Sequence, residues 1–360
     1  MTSQSDLINA FRTQSRACES LGSQFMAALL QEAASEFERS GSIGGLLRSW
    51  PGDPVADAVP LRLAAALHAL VLSGHAPELA KIYPAADQSE PAADVWRAAM
   101  AAIAAQRSVV ATFLDSPPQT NEVGRSAVLL GGFLEIARAT AGRPMRILEI
   151  GASAGLIQIW DHYRYHLGGT AQWGPPESPV VVEAAWSGPP PPLDASIAIA
   201  ERVASDSAPV DLDDPEACLR LRAYVWADQS ARMALLDAAM ALARQLRVHV
   251  KKAEAGGWVA DHLGQPAAGR TTVLYHSIAW EYFPDETKTR ITGALAQVGQ
   301  RGTAESPLAW LRLEPPAGSG PGGGEPELRL TLWPGGQDQR LATAHTHGPP
   351  VTWIGARADA

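Results

Sequence analysis

The stretch from Arg146 to Leu156, RILEIGASAGL, restricts the possible folds more than any other part of the chain. An apolar run of β-forming residues ends at Gly151, and three small residues separate this glycine from Gly155. Such a pattern is typical of a buried strand that turns sharply and enters a helix. The stretch therefore predicts the strand–turn–helix unit from which α/β sheets are built.

The pattern of apolar residues differs on the two sides of this stretch. Residues from about 5 to 140 show helical spacing throughout, whereas β-type runs separated by turns or helices follow Met145. The clearest later helices cover 156–166, 214–246 (long enough to bend or break) and 284–298. We expect an α/β protein with an all-α N-terminal domain at 1–140 and a mostly parallel sheet at 141–360, covered on both faces. The last β-type runs have no helix-length spacer, which predicts antiparallel strands at the end of the sheet.

Composition and charge exclude several classes of protein. A net charge of -9 over 360 residues argues against broad nucleic-acid binding, which requires a basic surface. Apolar runs too short to span a bilayer, an N-terminus unlike a signal peptide and only two cysteines predict a cytoplasmic protein. His345 and His347 would point to one side of a strand, but no acid or cysteine lies nearby in sequence, so we expect no metal site.

Ser153 can be interpreted in two ways. GASAG matches G-x-S-x-G, the turn that presents a nucleophilic serine in α/β-hydrolases, with His345 or His347 as the downstream histidine. That turn normally follows several strands of the sheet, whereas ILEI is the first strand here. The position of the turn therefore favours a loop that contacts a cofactor, and a serine hydrolase is the lesser alternative.

A cofactor loop explains the acid next to the glycines. Gly151 and Gly155 let the backbone approach a ligand closely, and Ser153 can donate a hydrogen bond. Glu149 would repel phosphate but attract a cation. Because S-adenosylmethionine carries an ammonium and a sulfonium group, this arrangement predicts S-adenosylmethionine as the cofactor and a methyltransferase as the class of protein.

Two further acids follow later strands of the predicted sheet. Asp206 comes after SIAIAERV, where a carboxylate could accept both ribose hydroxyls. Glu254 ends RVHVKKAE and could accept from the adenine amino group. Each acid alone is more often a solvated loop residue than a ligand-binding one, but three acids at the ends of successive strands of the core favour a cofactor site.

The fourth core strand, TTVLYHSIAWEYFP, carries the predicted catalytic groups. Ligands of open α/β sheets bind beyond the carboxyl ends of strands, so we expect the cofactor and the acceptor to meet here. His276 is the predicted general base and Tyr282 the second catalytic residue, with Ser277 at the cofactor and Glu281 at the substrate. The alternative for His276 is a hydrogen-bonded histidine at a sheet edge.

A polar cluster precedes the helix that leads into the first strand. Asn121 can cap this helix, and Arg125 can pair with Glu122 three residues earlier. The same cluster could instead overhang the cofactor cleft, because domain junctions often hold ligand sites. Asn121 and Arg125 are therefore predicted substrate-binding residues.

The succession of motifs resembles a bacterial family of uncharacterised proteins with a methyltransferase-like core. The matching segments cover nearly the whole chain: TNEVGR at 120–125, EIGASAGL at 149–156, WDHYRY at 160–165, RLRAYVWADQSAR at 220–232, VLYHSIAWEYFP at 273–284, WLRLEP at 310–315, LRLTLWPGG at 328–336 and HGPPVTW at 347–353. This resemblance implies a Rossmann-like class I methyltransferase-type sheet. The family has no established reaction, so the cofactor residues follow from the general resemblance to class I methyltransferases.

We therefore expect a methyltransferase that binds S-adenosylmethionine and acts on a small molecule. The alternative is a non-catalytic nucleotide-binding or regulatory protein on the same fold, because fold does not determine function. The chain departs from the methyltransferase pattern in one place: an insertion with SPVVVEAAW and a proline run lies between the first helix and the strand before Asp206.

Overall fold

The computed structural model describes residues 3–39, 44–47, 50–84, 91–265, 267–318 and 324–356. The chain forms two compact units, Met1–Thr120 with Asp213–Ala234, and Asn121–Leu212 with Leu235–Ala360. The division falls before the helix Arg125–Ala139, although the sequence analysis placed a boundary after it. This helix contacts the strands of the second unit and is buried on nearly all sides, which explains its place there.

The first unit is helical throughout its described residues. Its helices are α1 (Gln4–Ser20), α2 (Gln24–Glu38), α3 (Gly44–Leu47), α4 (Val59–Leu72), α5 (Pro77–Ala80), α6 (Ala92–Ala105), α7 (Arg107–Asp115) and, from the later segment, α9 (Pro215–Ala223). The Ser3 side chain and the Asp6 carboxylate form a capping box at the start of α1. The predicted helical N-terminal region is confirmed.

The segment that follows α9 completes the core of this unit. Tyr224 and Trp226 join the apolar cluster formed by α1, α2, α4 and α6. The Asp228 carboxylate accepts hydrogen bonds of 2.7 and 2.8 Å from the Ser23 hydroxyl at the start of α2. The predicted long helix is thus broken, and it resumes as α10 (Ser230–Gln245).

The second unit contains a nine-stranded sheet and a small three-stranded sheet. Its helices are α8 (Arg125–Ala139), α11 (Ala255–Leu263) and α12 (Asp285–Gly299), with 3-10 helices at Leu156–His162 and Trp280–Tyr282. Its strands are β1 (Met145–Ile150), β2 (Arg164–His166), β3 (Gln172–Trp173), β4 (Val181–Glu183), β5 (Trp186–Ser187), β6 (Ile199–Asp206), β7 (Lys251–Lys252), β8 (Thr271–Ser277), β9 (Leu308–Glu314), β10 (Glu327–Trp333), β11 (Gln337–His345) and β12 (Gly348–Trp353).

The large sheet has the order β5-β12-β11-β10-β9-β8-β1-β6-β7. The strands from β9 to β7 are all parallel, and β1 lies between β8 and β6 with Leu148 opposite both Leu274 and Val203. From β9 to β12 the neighbours are antiparallel. The mostly parallel sheet and its antiparallel finish are confirmed.

Helices cover both faces of this sheet. On one face, α11 and α12 pack against a cluster that includes Leu148, Ile150 and Leu274. On the other face, α8 approaches closely at Gly132, where a Cβ atom would collide with the side chain of Leu311. Burial of both faces explains why the parallel strands read as continuous apolar runs.

The insertion and two strands differ from the sequence prediction. SPVVVEAAW contributes β4 to the small sheet β3-β2-β4, and its last residue begins β5, which pairs with β12 at the edge of the large sheet. RVHVKKAE forms only the two-residue β7. The polar strand β11 was not predicted, although the PGG turn before it indicates a hairpin with β10.

Candidate functional site

The glycine-rich turn after β1 has an unusual backbone. Gly151, Ser153 and Gly155 all adopt left-handed conformations, with φ values of 65°, 54° and 73°. A Cβ atom on Gly151 would lie 2.6 Å from Cβ of Ala279, so only glycine fits there. Ser153 adopts the same conformation at an energetic cost, which is most often found at functional sites.

Two side chains hold this turn in place. The Asp206 carboxylate accepts from the amides of Ser153 and Ala208, each at 2.8 Å. Asn121 accepts from the amide of Leu156 at 2.9 Å. Asp206 therefore lies at the predicted end of its strand and supports the turn, while Asn121 contacts the turn itself.

The side chain of Ser153 is buried, and its Oγ atom has no hydrogen-bond partner within the described part of the chain. A nucleophilic serine needs a histidine in contact with its hydroxyl, and the structure provides none among these residues. The hydroxyl can therefore donate a hydrogen bond to a ligand that reaches the turn.

Glu149 is a buried acid at the carboxyl end of β1. Its relative exposure is 3%, and the Tyr275 hydroxyl donates a hydrogen bond to Oε2 at 3.1 Å. Burial, followed by the nearby Asp206 charge, raises the pKa of Glu149 to about 8 despite the opposing hydrogen bond from Tyr275. The carboxyl group is therefore largely protonated at neutral pH without a cation beside it.

Aromatic side chains pack around Tyr275, the hydrogen-bond partner of Glu149. Phe133 stacks on Trp160 with ring centroids 4.3 Å apart and meets the edge of Tyr275 at 5.1 Å. The Tyr163 hydroxyl donates to the carbonyl of Leu156 at 2.5 Å, which fixes the start of the 3-10 helix behind the turn. An acid in such surroundings gains strongly from a cationic partner.

His276 does not occupy the position of a free general base. Its side chain is fully buried, with Nδ1 2.6 Å from Oε1 of Glu314 and Nε2 3.1 Å from the indole nitrogen of Trp310. The pattern assigns the proton to Nδ1, because the indole N–H donates to Nε2. The structure therefore favours the alternative of a hydrogen-bonded histidine, although β8 lies inside the sheet, between β1 and β9, and not at its edge.

Glu314 was missed in the sequence analysis and organises the segment after β8. Besides His276, its Oε1 atom accepts from the amides of Ala279 at 3.0 Å and Trp280 at 3.3 Å. Just before these residues Ile278 has a φ of 49°, which is strained for a β-branched residue. The available signal was an acid at the end of β9, one strand beyond the predicted site.

Arg125 and Ser277 interact through the backbone. The buried guanidinium of Arg125 donates to the carbonyl of Ser277 at 3.2 Å and to that of Thr346 at 2.9 Å. Arg125 therefore connects the start of α8 with the end of β8 and with the turn before β12.

The remaining predicted residues lie further from the turn in sequence and differ in exposure. Glu281 and Tyr282 lie in the 3-10 helix after β8, where Tyr282 is 73% exposed. Glu254 caps α11: its oxygens accept from the amides of Gly256 and Gly257 at 2.6 and 2.7 Å. Partial burial opposes the shift, but these bonds and one from Thr287 lower the pKa of Glu254. Both oxygens of the Glu254 carboxylate are therefore engaged in the first turn of α11.

The structure shows no candidate metal centre in its described residues. The His345 and His347 rings lie 5.0 Å apart, and the His347 amide lies 3.1 Å from Nδ1 of His345. Within the same described ranges, no helix has the length and apolar character needed to cross a bilayer.

The fold and the site define an α/β protein whose first strand ends in a strained turn beside a buried acid. The chain matches, over residues 8–353, the family described as an uncharacterized protein conserved in bacteria (DUF2332), and it belongs to that family. No curated protein and no solved structure is detectably similar to the chain.

Proposed function

We propose that this protein binds S-adenosylmethionine beyond the carboxyl ends of β1, β6 and β8 and transfers the methyl group to a small molecule. The observation that carries the proposal is Glu149, a desolvated carboxyl group beside the left-handed turn. A ligand ammonium group would restore its charged form and form a charge-assisted hydrogen bond in a low-dielectric site.

The order of the parallel strands supports this proposal. Taken along the chain without the insertion strands, β7-β6-β1-β8-β9 reads 3-2-1-4-5, the order of doubly wound nucleotide-binding sheets. The order reverses between β1 and β8, which is where such sheets bind their ligands. Glu149 and Tyr275 lie near the carboxyl ends of these two strands.

The side chains around the turn fit the parts of this cofactor. Glu149 would bind the ammonium group, and the Ser153 hydroxyl would donate to the carboxylate of the amino acid moiety. Each oxygen of Asp206 accepts one amide in the structure, and a carboxylate oxygen retains a second lone pair for a ribose hydroxyl. Among the predicted cofactor-binding residues, Glu254 has the least support, because its carboxylate already caps α11.

Methyl transfer mainly requires the protein to align the acceptor with the methyl group. S-adenosylmethionine supplies an electrophilic methyl group, and the chain must orient the acceptor and exclude water. Because both nitrogens of His276 are occupied, the acceptor must be nucleophilic without a histidine base, as thiolates and neutral amines are. Glu281 and Tyr282 remain the proposed acceptor-side residues.

The bonds of His276 also favour a second candidate function, a protein that binds the cofactor without turnover.

A transfer assay separates the two candidate functions. Incubation with methyl-labelled cofactor and a bacterial metabolite extract should yield a labelled small molecule if the protein is a methyltransferase. At limiting cofactor, Glu149→Gln should lower this transfer roughly tenfold or more because cofactor binding weakens, while Glu201→Gln, a half-exposed acid on β6, should leave it intact. Binding without transfer would favour the second candidate, and absence of binding would contradict both.

A further inference from the structure

A cavity of about 450 Å³ lies at the edge of the large sheet, and two of its lining residues, Gln158 and Val248, lie next to Gly155 of the turn. The short strand β7 pairs only with Ser205 and Asp206 of β6. Along residues 199–204 no strand in the described ranges pairs with this edge of β6. The 3-10 helix Leu156–His162, helix α11 and the segment 246–251 enclose the space left there.

With the exception of Gln158, the polar side chains that line this cavity belong to basic residues. They come from all of its walls: His162, Arg202, Arg247, His249, Lys251 and His262. None of the described lining residues is acidic, although the chain as a whole has a net charge of -9. A concave surface of one sign concentrates ligands of the opposite sign.

Two of these cations are available to a ligand. The guanidinium of Arg202 forms two bonds of 2.7 Å with the Asp161 carboxylate, so its charge is already balanced. Arg247 and Lys251 are exposed and have no ion-pair partner in the described part of the chain. The cavity therefore retains an excess positive charge beyond the Arg202 pair.

The cavity also has an apolar wall. The Trp258 ring lies 4.0 Å from the ring of His262, and the carbonyl of Trp258 bonds Nδ1 of His262 at 2.7 Å. This bond leaves Nε2 of His262 as the remaining imidazole nitrogen. Ile159, Val203 and Val248 complete the lining on the apolar side. The three histidines do not form a metal centre in the described structure.

We propose that this cavity binds a small organic anion with two or more negative charges, held by Arg247 and Lys251 and packed against Trp258. The cavity volume falls in the range of small-molecule sites, which are mostly apolar with a few convergent polar groups. Phosphate and carboxylate groups share this chemistry, because both accept hydrogen bonds from guanidinium and ammonium groups. The inference does not depend on the cofactor proposed above.

The test is calorimetric titration of the full chain with pyrophosphate and, separately, with citrate at neutral pH. The wild type should bind at least one of them, and the tighter probe identifies phosphate or carboxylate as the preferred group. The double variant Arg247→Gln with Lys251→Gln should lose roughly tenfold or more in affinity, since each charge-assisted contact contributes that much. Both side chains are exposed, so the variant should remain folded.

Lys252→Gln is the matched control, because Lys252 is the exposed neighbour of Lys251 in β7 and does not line the cavity. It should bind like the wild type. Failure of both probes to bind the wild type at about 10 mM, or equal losses in the control and the double variant, would overturn the proposal. S-adenosylmethionine binding should be unchanged in the double variant, so the two proposals fail separately.

Discussion

The hydroxyl of Tyr275 donates a hydrogen bond of 3.1 Å to Oε2 of Glu149, and both side chains are buried on neighbouring strands. This hydrogen bond is made to the acid at the centre of the candidate site, and it lowers the pKa of Glu149, which burial raises. The pair explains how the fold tolerates a carboxyl group among Phe133, Trp160 and Tyr163.

The first prediction concerns stability against pH. Burial raises the pKa of Glu149 from 4.5 to about 8, so the folded state binds more protons than the unfolded state in this interval. The free energy of unfolding of the ligand-free protein should therefore fall as pH rises through the interval, by a few kcal/mol. Glu149→Gln should flatten this dependence, as measured by urea unfolding. An equally steep decline in the variant would contradict the assignment.

Tyr275→Phe provides a second measurement on the same pair. Removal of the hydroxyl takes away a bond that lowers the pKa of Glu149, so the decline in stability should extend to higher pH. Backbone geometry should not change, because the ring remains in contact with Phe133. A dependence identical to that of the wild type would show that the bond has no influence on the acid.

A third prediction separates the two interpretations of Ser153. Ser153→Ala should retain stability to within about 0.5 kcal/mol, because the hydroxyl has no partner among the described residues. The same change should weaken S-adenosylmethionine binding by roughly tenfold to a hundredfold, the value of one hydrogen bond to a charged group. Fluorophosphonate probes should leave Ser153 unlabelled in the wild type; stoichiometric labelling would instead support the hydrolase.

The fourth prediction tests the position of His276. His276→Ala removes one hydrogen bond from the carboxylate of Glu314 and the acceptor of the Trp310 indole, and it leaves a cavity, so it should cost about 2 to 4 kcal/mol of stability. Tyr282→Phe is the control, since Tyr282 is exposed and should change stability by less than about 0.5 kcal/mol. Urea unfolding measures both. A His276→Ala protein as stable as the control would contradict the structural position given to His276.

The helical region, the parallel sheet and its antiparallel finish were predictable because each depends on local periodicity. The strands β1 and β8 are buried on both faces and read as apolar runs. The short β7 and the polar β11 were not predictable from this signal, because pairing and not local preference defines their limits. The unit to which helix α8 belongs was not predictable for the same reason, because α8 packs on strands that are distant from it in sequence.

The acids of the candidate site were predictable as strand-end residues, but their hydrogen bonds were not. Glu149 and Asp206 lie at the carboxyl ends of β1 and β6 as expected. Glu254 follows the same sequence pattern and instead caps a helix, because the strand before it is only two residues long. The partner of His276 was missed because Glu314 lies 38 residues away in sequence.

The most direct test of cofactor binding is calorimetric titration with S-adenosylmethionine at neutral pH in buffers with different ionisation enthalpies. A ligand ammonium beside Glu149 lowers the raised pKa, so binding to the wild type should release close to one proton per site. Glu149→Gln should bind roughly tenfold to a hundredfold more weakly and release none, while Glu201→Gln should match the wild type. Absence of binding, or binding to the wild type with no proton release, would contradict the place of Glu149 in the cofactor site.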